Sequence, residues 1–103
     1  MTVETDRTPT EAERVAFEAR LREQGYDEIL TRTLEPDVVI PDHTHPYDVL
    51  ALVLAGEATI DCGDGPRRYR PGDVLEVPAN LRHSEQYGPQ GYTFLLGRRH
   101  PTA

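Results

Sequence analysis

The chain has 103 residues, 37% hydrophobic and 28% charged, with a formal net charge of -7; that describes one small globular domain, not two domains or a disordered tail. The acid excess argues against a nucleic-acid surface and against docking on anionic lipid, since both draw their affinity from Lys and Arg. All 11 basic residues are Arg, which removes a Schiff-base lysine and a P-loop, and the single cysteine, Cys62, rules out an internal disulfide and a cysteine-based zinc knuckle.

Taken in chain order, Met1 to Thr10 has no apolar stretch of the signal-peptide kind. The longest apolar run, Val49 to Ala55, is far short of the roughly 20 residues a spanning helix needs. The expected location is therefore the cytoplasm, with no membrane partner. Thr8-Pro9-Thr10-Glu11 has the form of a helix start, with Thr8 as N-cap, Pro9 in the first helical position and Glu11 three after the cap. Ala12, Val15, Ala16 and Ala19 follow as a thin apolar stripe, with Phe17 and Leu21 on an adjoining line, and Gly25 is a natural stop. The expectation is one amphipathic helix over about residues 9–24 that lies on a surface.

After Tyr26, short runs rich in Val, Ile, Leu, Thr and Tyr are punctuated by turn residues about every 8 to 12 positions, the spacing of a sandwich or barrel. Strands are expected near 29–34, 37–42, 48–55, 57–62, 67–70, 74–77, 83–87 and 92–98. No second helical pattern interrupts them. The fold class is thus all-β, a small antiparallel barrel with one short N-terminal α-helix; residues 1–25 form the helical extension and 26–103 the barrel. Val49 to Ala55 is apolar on both faces, so its outer face needs a cover. Either the helix or a second subunit can supply it, and the rarity of large exposed apolar patches makes a homodimer the expected state.

His43-Thr44-His45 places two imidazoles on one face of a strand, half of a site for a divalent transition metal. His83 arrives after Pro78-Ala79-Asn80-Leu81-Arg82, whereas His100, near the end of the chain, reads as a surface residue. Here the sequence resembles a family. His43-Thr44-His45 through Gly56-Glu57 is similar to the first motif of small cupins, and Gly72, Pro78 and His83 are spaced as in the second. The resemblance implies a double-stranded β-barrel of the jelly-roll kind and a metal held by His43, His45 and His83, with Fe, Zn, Ni, Mn or Co as candidates. Two positions depart from the pattern. Asn80 stands where Gly is usual, and Asn tolerates a left-handed backbone. Val49 stands where a ligating Glu is usual, while Asp48, adjacent to it, is sent by alternation to the opposite face.

Three neutral imidazoles without a carboxylate leave an ion its full dipositive charge, which favours an anionic ligand. Some cupins with three His on Fe(II) are dioxygenases, so the resemblance implies a metal-binding protein for a small anionic or enolisable molecule, with dioxygenase-type chemistry as one outcome. The competing reading is a barrel that senses or holds a small molecule without turnover. No catalytic residue is assigned. Glu76 faces either the cavity or water, and alternation favours water. Arg82 could clamp a carboxylate but reads better as a surface residue, Tyr47 and Tyr87 read as packed wall residues, and Cys62 as a small buried hydrophobe.

Overall fold

A computed structural model describes residues 8–100. The outer parts of the two expected segments, residues 1–7 and 101–103, lie outside the described residues. Among those described, helix α1 spans Glu11–Glu23 and is followed by strands β1 (Glu28–Leu34), β2 (Val39–His43), β3 (Asp48–Asp61), β4 (Pro66–Tyr69), β5 (Val74–Val77) and β6 (His83–Arg99).

The helix starts later than the sequence suggests. Thr10, not Thr8, is the N-cap: its hydroxyl accepts from the Glu13 amide at 3.1 Å, and the Glu13 carboxylate accepts from the Thr10 amide at 2.8 Å. Both ends of a capping box are thereby satisfied. Pro9 stays outside the helix and is buried beside Phe17 and Leu52. At the other end, the amides of Gly25 and Tyr26 bond back to the carbonyls of Arg22 and Leu21. This is a Schellman motif, and Gly25 supplies its left-handed residue at φ 86°. The buried face also differs from the expected stripe. Ala12, Val15, Ala16 and Ala19 are exposed, Val15 by 61%, while Phe17 and Leu21 are buried. Two large side chains remove more apolar area from water than four small ones, and they decide which way the helix turns.

The eight expected strands become six, because two pairs of neighbours are continuous. β3 carries both 48–55 and 57–62 through irregularities near Gly56, and β6 carries both 83–87 and 92–98. These two long strands pair along their whole length, from Asp48 opposite Arg99 to Asp61 opposite Ser84. One half of the ribbon is flanked by β1 and β5, the other by β2 and β4, so the ribbon folds over into two facing sheets. The outcome is the expected antiparallel barrel.

Its interior is lined by Ala51, Val53, Ala58, Ile60, Leu75, Val77, Tyr87, Tyr92, Phe94 and Leu96. Outside the first sheet, Leu50, Leu52, Leu54 and Leu95 form a separate apolar cluster with Phe17, Leu21 and Tyr26. The cover that Val49 to Ala55 requires is therefore the helix. Gly97 makes room for it: a Cβ there would stand 2.8 Å from Tyr26 Cβ and 2.9 Å from a Leu21 methyl. No helix among the described residues is long and apolar enough to cross a membrane.

Candidate metal centre

The barrel brings His43, His45 and His83 together, although 38 residues separate His45 from His83 in the chain. His43 ends β2 and lies directly opposite His83, the first residue of β6; His45 follows in the turn. Ring centroids are 4.3 Å apart for His43 and His83, 4.7 Å for His43 and His45, and 5.0 Å for His45 and His83. A fourth group joins them. Glu85 offers a carboxylate oxygen, and one ligand atom from each of the four residues lies within 4.8 Å of the others.

Glu85 is the residue that the sequence reading misses, and with it the site is no longer carboxylate-free. The signal is present: Glu85 stands two residues after His83 on a strand, the same spacing that puts His43 and His45 together. The family template draws attention to Val49 instead, which lines the cavity but cannot ligate.

The hydrogen bonds fix how the rings face. His43 Nδ1 lies 2.9 Å from the Pro41 carbonyl and His83 Nδ1 lies 3.0 Å from the Leu81 carbonyl. A carbonyl only accepts, so both Nδ1 atoms carry hydrogen, and in the neutral tautomer each Nε2 presents a lone pair. Those two Nε2 atoms lie 3.3 Å and 3.2 Å from the same Glu85 oxygen, Oε2. Two imidazole nitrogens and a carboxylate oxygen thus converge on one point, an arrangement that a divalent cation, or a proton on one of the rings, would satisfy. The other Glu85 oxygen accepts from the Tyr87 hydroxyl at 2.9 Å. Burial, then the Glu85 charge, pushes the Tyr87 phenol up, so it remains a protonated donor.

His45 is held differently, with its ring stacked on Tyr47 at 5.0 Å and 12°. Burial first, then the neighbouring rings of His43 and His83, holds His45 below the ordinary imidazole range. That keeps it in the neutral form in which imidazole binds metal. His83 is only 2% exposed, an ionisable side chain set in the apolar interior. The donor set, three imidazole nitrogens and one carboxylate oxygen, suits Fe, Zn, Ni, Mn or Co.

The remaining candidates fall outside the cluster. Asp48 faces away, as alternation requires: Oδ1 accepts from the Ala79 amide at 2.7 Å and Oδ2 from Arg99 Nε at 3.1 Å. Arg99 also donates to the Gln24 carbonyl at 2.7 Å and lies over the Tyr26 ring. Asp48 thereby ties the loop leading to His83 to the end of the helix. Asn80 completes that loop at φ 65°, the left-handed conformation expected of it, with its amide bonded to the His45 carbonyl at 2.7 Å. Glu76 is exposed, and so is Arg82, which pairs with Asp42 at 3.3 Å. Cys62 is half-buried, and burial pushes its thiol up, away from the reactive thiolate. Tyr47 and Tyr87 are more than packing residues, since each touches a member of the cluster. His100 is exposed and lies 3.4 Å from Glu28.

The Ala79 amide, chiefly, holds the Asp48 carboxyl below the ordinary value of 3.8, with Arg99 adding to the effect. A depressed folded pKa contributes stability above the unfolded value, lost as pH falls through the folded one. Asp48→Asn is therefore expected to lower stability at neutral pH by about 1–2 kcal/mol. It should also reduce the acid sensitivity of the wild type below pH 3.8. Urea midpoints on both sides of that value check this; parallel pH profiles for the two proteins would refute it.

A cupin-domain family model matches residues 30–86, more than half of the chain. Among solved structures, a conserved protein of unknown function from Streptococcus pyogenes is 26% identical, covering 75% of this chain and 78% of that one, with a TM-score of 0.58. An uncharacterised protein with a double-stranded β-helix domain from Klebsiella pneumoniae is 23% identical over 69% of this chain and 64% of its own, also at 0.58. Oxalate decarboxylase from Lactobacillus farciminis, in its formate complex, is 27% identical over 73% of this chain but only 24% of its own, at 0.59. No curated protein sequence matches. With the family match, the two spaced motifs and the folded-over ribbon in agreement, the chain belongs to the cupin family.

Proposed function

We propose that this protein binds a divalent transition metal through His43, His45, His83 and Glu85 and holds a small anionic or enolisable molecule beside it. The observation that carries the reading is the convergence of two Nε2 atoms on Glu85 Oε2, with both Nδ1 atoms committed to backbone carbonyls and His45 completing the cluster. A cavity of about 500 Å³ adjoins the cluster, within the range of small-molecule sites. Its walls are mostly apolar, with Leu34, Val49, Leu75, Val77 and Phe94 beside the charged Arg32 and Glu35. A metal there would polarise an oxygen atom of the ligand and fix its position. The protein supplies orientation: Tyr87 holds Glu85, Tyr47 backs His45, and the apolar walls strengthen each polar contact by lowering the dielectric around it. One likeness is to an oxalate decarboxylase with bound formate, a small carboxylate, and this supports an anionic ligand.

The test is a titration of metal-stripped protein with Fe(II), Zn(II), Ni(II), Mn(II) and Co(II), read by calorimetry and thermal unfolding. At least one ion binds one-to-one, and at a hundredfold excess over Kd it adds about 2.7 kcal/mol of stability. His45→Ala loses this binding. The proposal fails if no ion binds, or if His45→Ala binds as wild type does. Iron-dependent oxygen uptake that disappears in His83→Ala would mark dioxygenase-type turnover. Stabilisation by the small molecule without uptake would mark a binder.

A further inference from the structure

Three backbone amides shape the loop that carries His83 onto β6. Ala79 donates to Asp48 Oδ1 at 2.7 Å, Asn80 to the His45 carbonyl at 2.7 Å, and Leu81 to the Pro78 carbonyl at 3.2 Å. The loop in turn fixes two histidines of the cluster. Its Asn80 amide holds the backbone of His45, and its Leu81 carbonyl accepts from His83 Nδ1 at 3.0 Å. Of the three amides, Ala79 alone depends on a side chain from outside the loop. Asp48 is itself held. It stands opposite Arg99 in the pairing of β3 with β6, and its Oδ2 accepts from Nε at 3.1 Å and from Nη2 at 3.0 Å. The remaining nitrogen, Nη1, donates at 2.7 Å to the carbonyl of Gln24, the C-cap of α1, where the helix dipole also favours a cation. The guanidinium lies 4.4 Å over the ring of Tyr26, which is buried with Leu21 against the sheet. A continuous strut therefore runs from the end of α1 through Arg99 and Asp48 to the loop between His45 and His83. Neither Asp48 nor Arg99 lines the cavity or joins the cluster.

We infer that Asp48 and Arg99 are positioning residues for the metal centre, through which the docked helix α1 raises the affinity of His45 and His83 for the ion; this rests on the metal reading above. His43 stands apart from the strut, since its Nδ1 is held by Pro41 of its own strand. A loop freed at Ala79 leaves the other two histidines assembled for only part of the time, and affinity falls by that fraction. Binding free energies couple reciprocally, so an ion that fixes the loop also secures the end of the helix.

The probe is zinc, titrated by calorimetry into the metal-stripped full chain. Asp48→Ala, which frees both the Ala79 amide and Arg99, weakens zinc by about thirtyfold. Arg99→Met, which leaves Asp48 on Ala79, weakens it by about tenfold. Val53→Ala truncates the core further along β3 without touching the strut, and its zinc affinity stays within about twofold of wild type. Should Asp48→Ala not fold, Asp48→Asn, whose amide oxygen still accepts from Ala79, replaces it and matches Arg99→Met. Hydrogen exchange separates positioning from a general loss of stability. In the wild type, zinc slows exchange at Gln24, Gly25 and Tyr26 about fivefold more than at Arg14 in the first turn of the helix, and Arg99→Met abolishes the difference. Zinc affinity within about twofold of wild type in the Asp48 and Arg99 variants, or equal slowing at both ends of the helix, overturns the inference. If neither zinc nor any other ion of the titration above binds, the metal reading fails by itself. The metal-free protein then still decides on the strut: the His83 Nδ1–H, bonded to Leu81 on a ring that is 2% exposed, exchanges at least about tenfold faster in Asp48→Ala or Asp48→Asn, and an unchanged rate overturns the positioning role.

Discussion

Replacing Glu85 with Gln lowers the affinity for a divalent metal at least about a hundredfold, beyond the range seen when only a ligand's supporting contact is removed. The change keeps size and shape but replaces a charged oxygen with a neutral amide. Oε2 is the only charged donor atom in the cluster and lies 3.2 Å and 3.3 Å from two imidazole nitrogens that also bind only through lone pairs. Tyr87→Phe provides an internal scale. It removes the 2.9 Å hydrogen bond that orients the carboxylate but leaves the carboxylate in place, and should cost about tenfold. Calorimetric titration of wild type, Tyr87→Phe and Glu85→Gln with one metal should give affinities in that descending order. Wild-type affinity in Glu85→Gln would mean that the three histidines bind alone, as the sequence by itself suggests.

Gly56→Ala destabilises the domain by more than about 4 kcal/mol, enough to leave much of a marginally stable protein unfolded. Two effects combine. The backbone is at φ 71°, and a Cβ would stand 2.1 Å from the Gly91 carbonyl oxygen and 2.8 Å from its carbon. Those are backbone atoms of the partner strand, so nothing can rotate away. The crossing of Gly56 and Gly91 lies where the long ribbon bends from one sheet to the other, and separating the strands there disturbs both halves of the barrel. Gly63→Ala isolates the conformational part: φ is 107°, but nothing lies within 4 Å of the new Cβ, so about 1–3 kcal/mol is expected. Urea denaturation of both variants gives the comparison. Equal losses would mean that the contact with Gly91 has no energetic weight.

The site is half legible in the chain. His43 and His45 can be read together because alternation is a local property, and the spacing of Gly72, Pro78 and His83 marks the third histidine of the cluster. By the same local rule Asp48 and Val49 point to opposite faces, and the structure has Asp48 on Ala79 and Arg99 and Val49 on the cavity wall. Glu85 is legible from His83 by that rule as well, but a template that places the carboxylate after the first His pair leads past it. That Arg98 lines the cavity is not legible. Parity on β6 changes between Tyr87 and Tyr92, both of which face inward though their positions differ by an odd number, so nothing at Arg98 itself reveals its direction.

By itself, then, the sequence determines the features that short-range periodicity and backbone chemistry dictate. These include a barrel of short alternating runs, one capped helix, a left-handed Asn80, and two histidines on one face with a third at motif spacing. The tertiary structure decides everything that depends on register. It makes six strands of eight segments, turns Phe17 and Leu21 rather than the alanine stripe toward the sheet, sets Glu85 between two imidazoles, and brings Arg98 to the cavity wall. The physical reason is that a strand's period of two fixes only relative direction within a run. Each bend resets it, and only pairing between residues far apart in the chain settles which face becomes the inside.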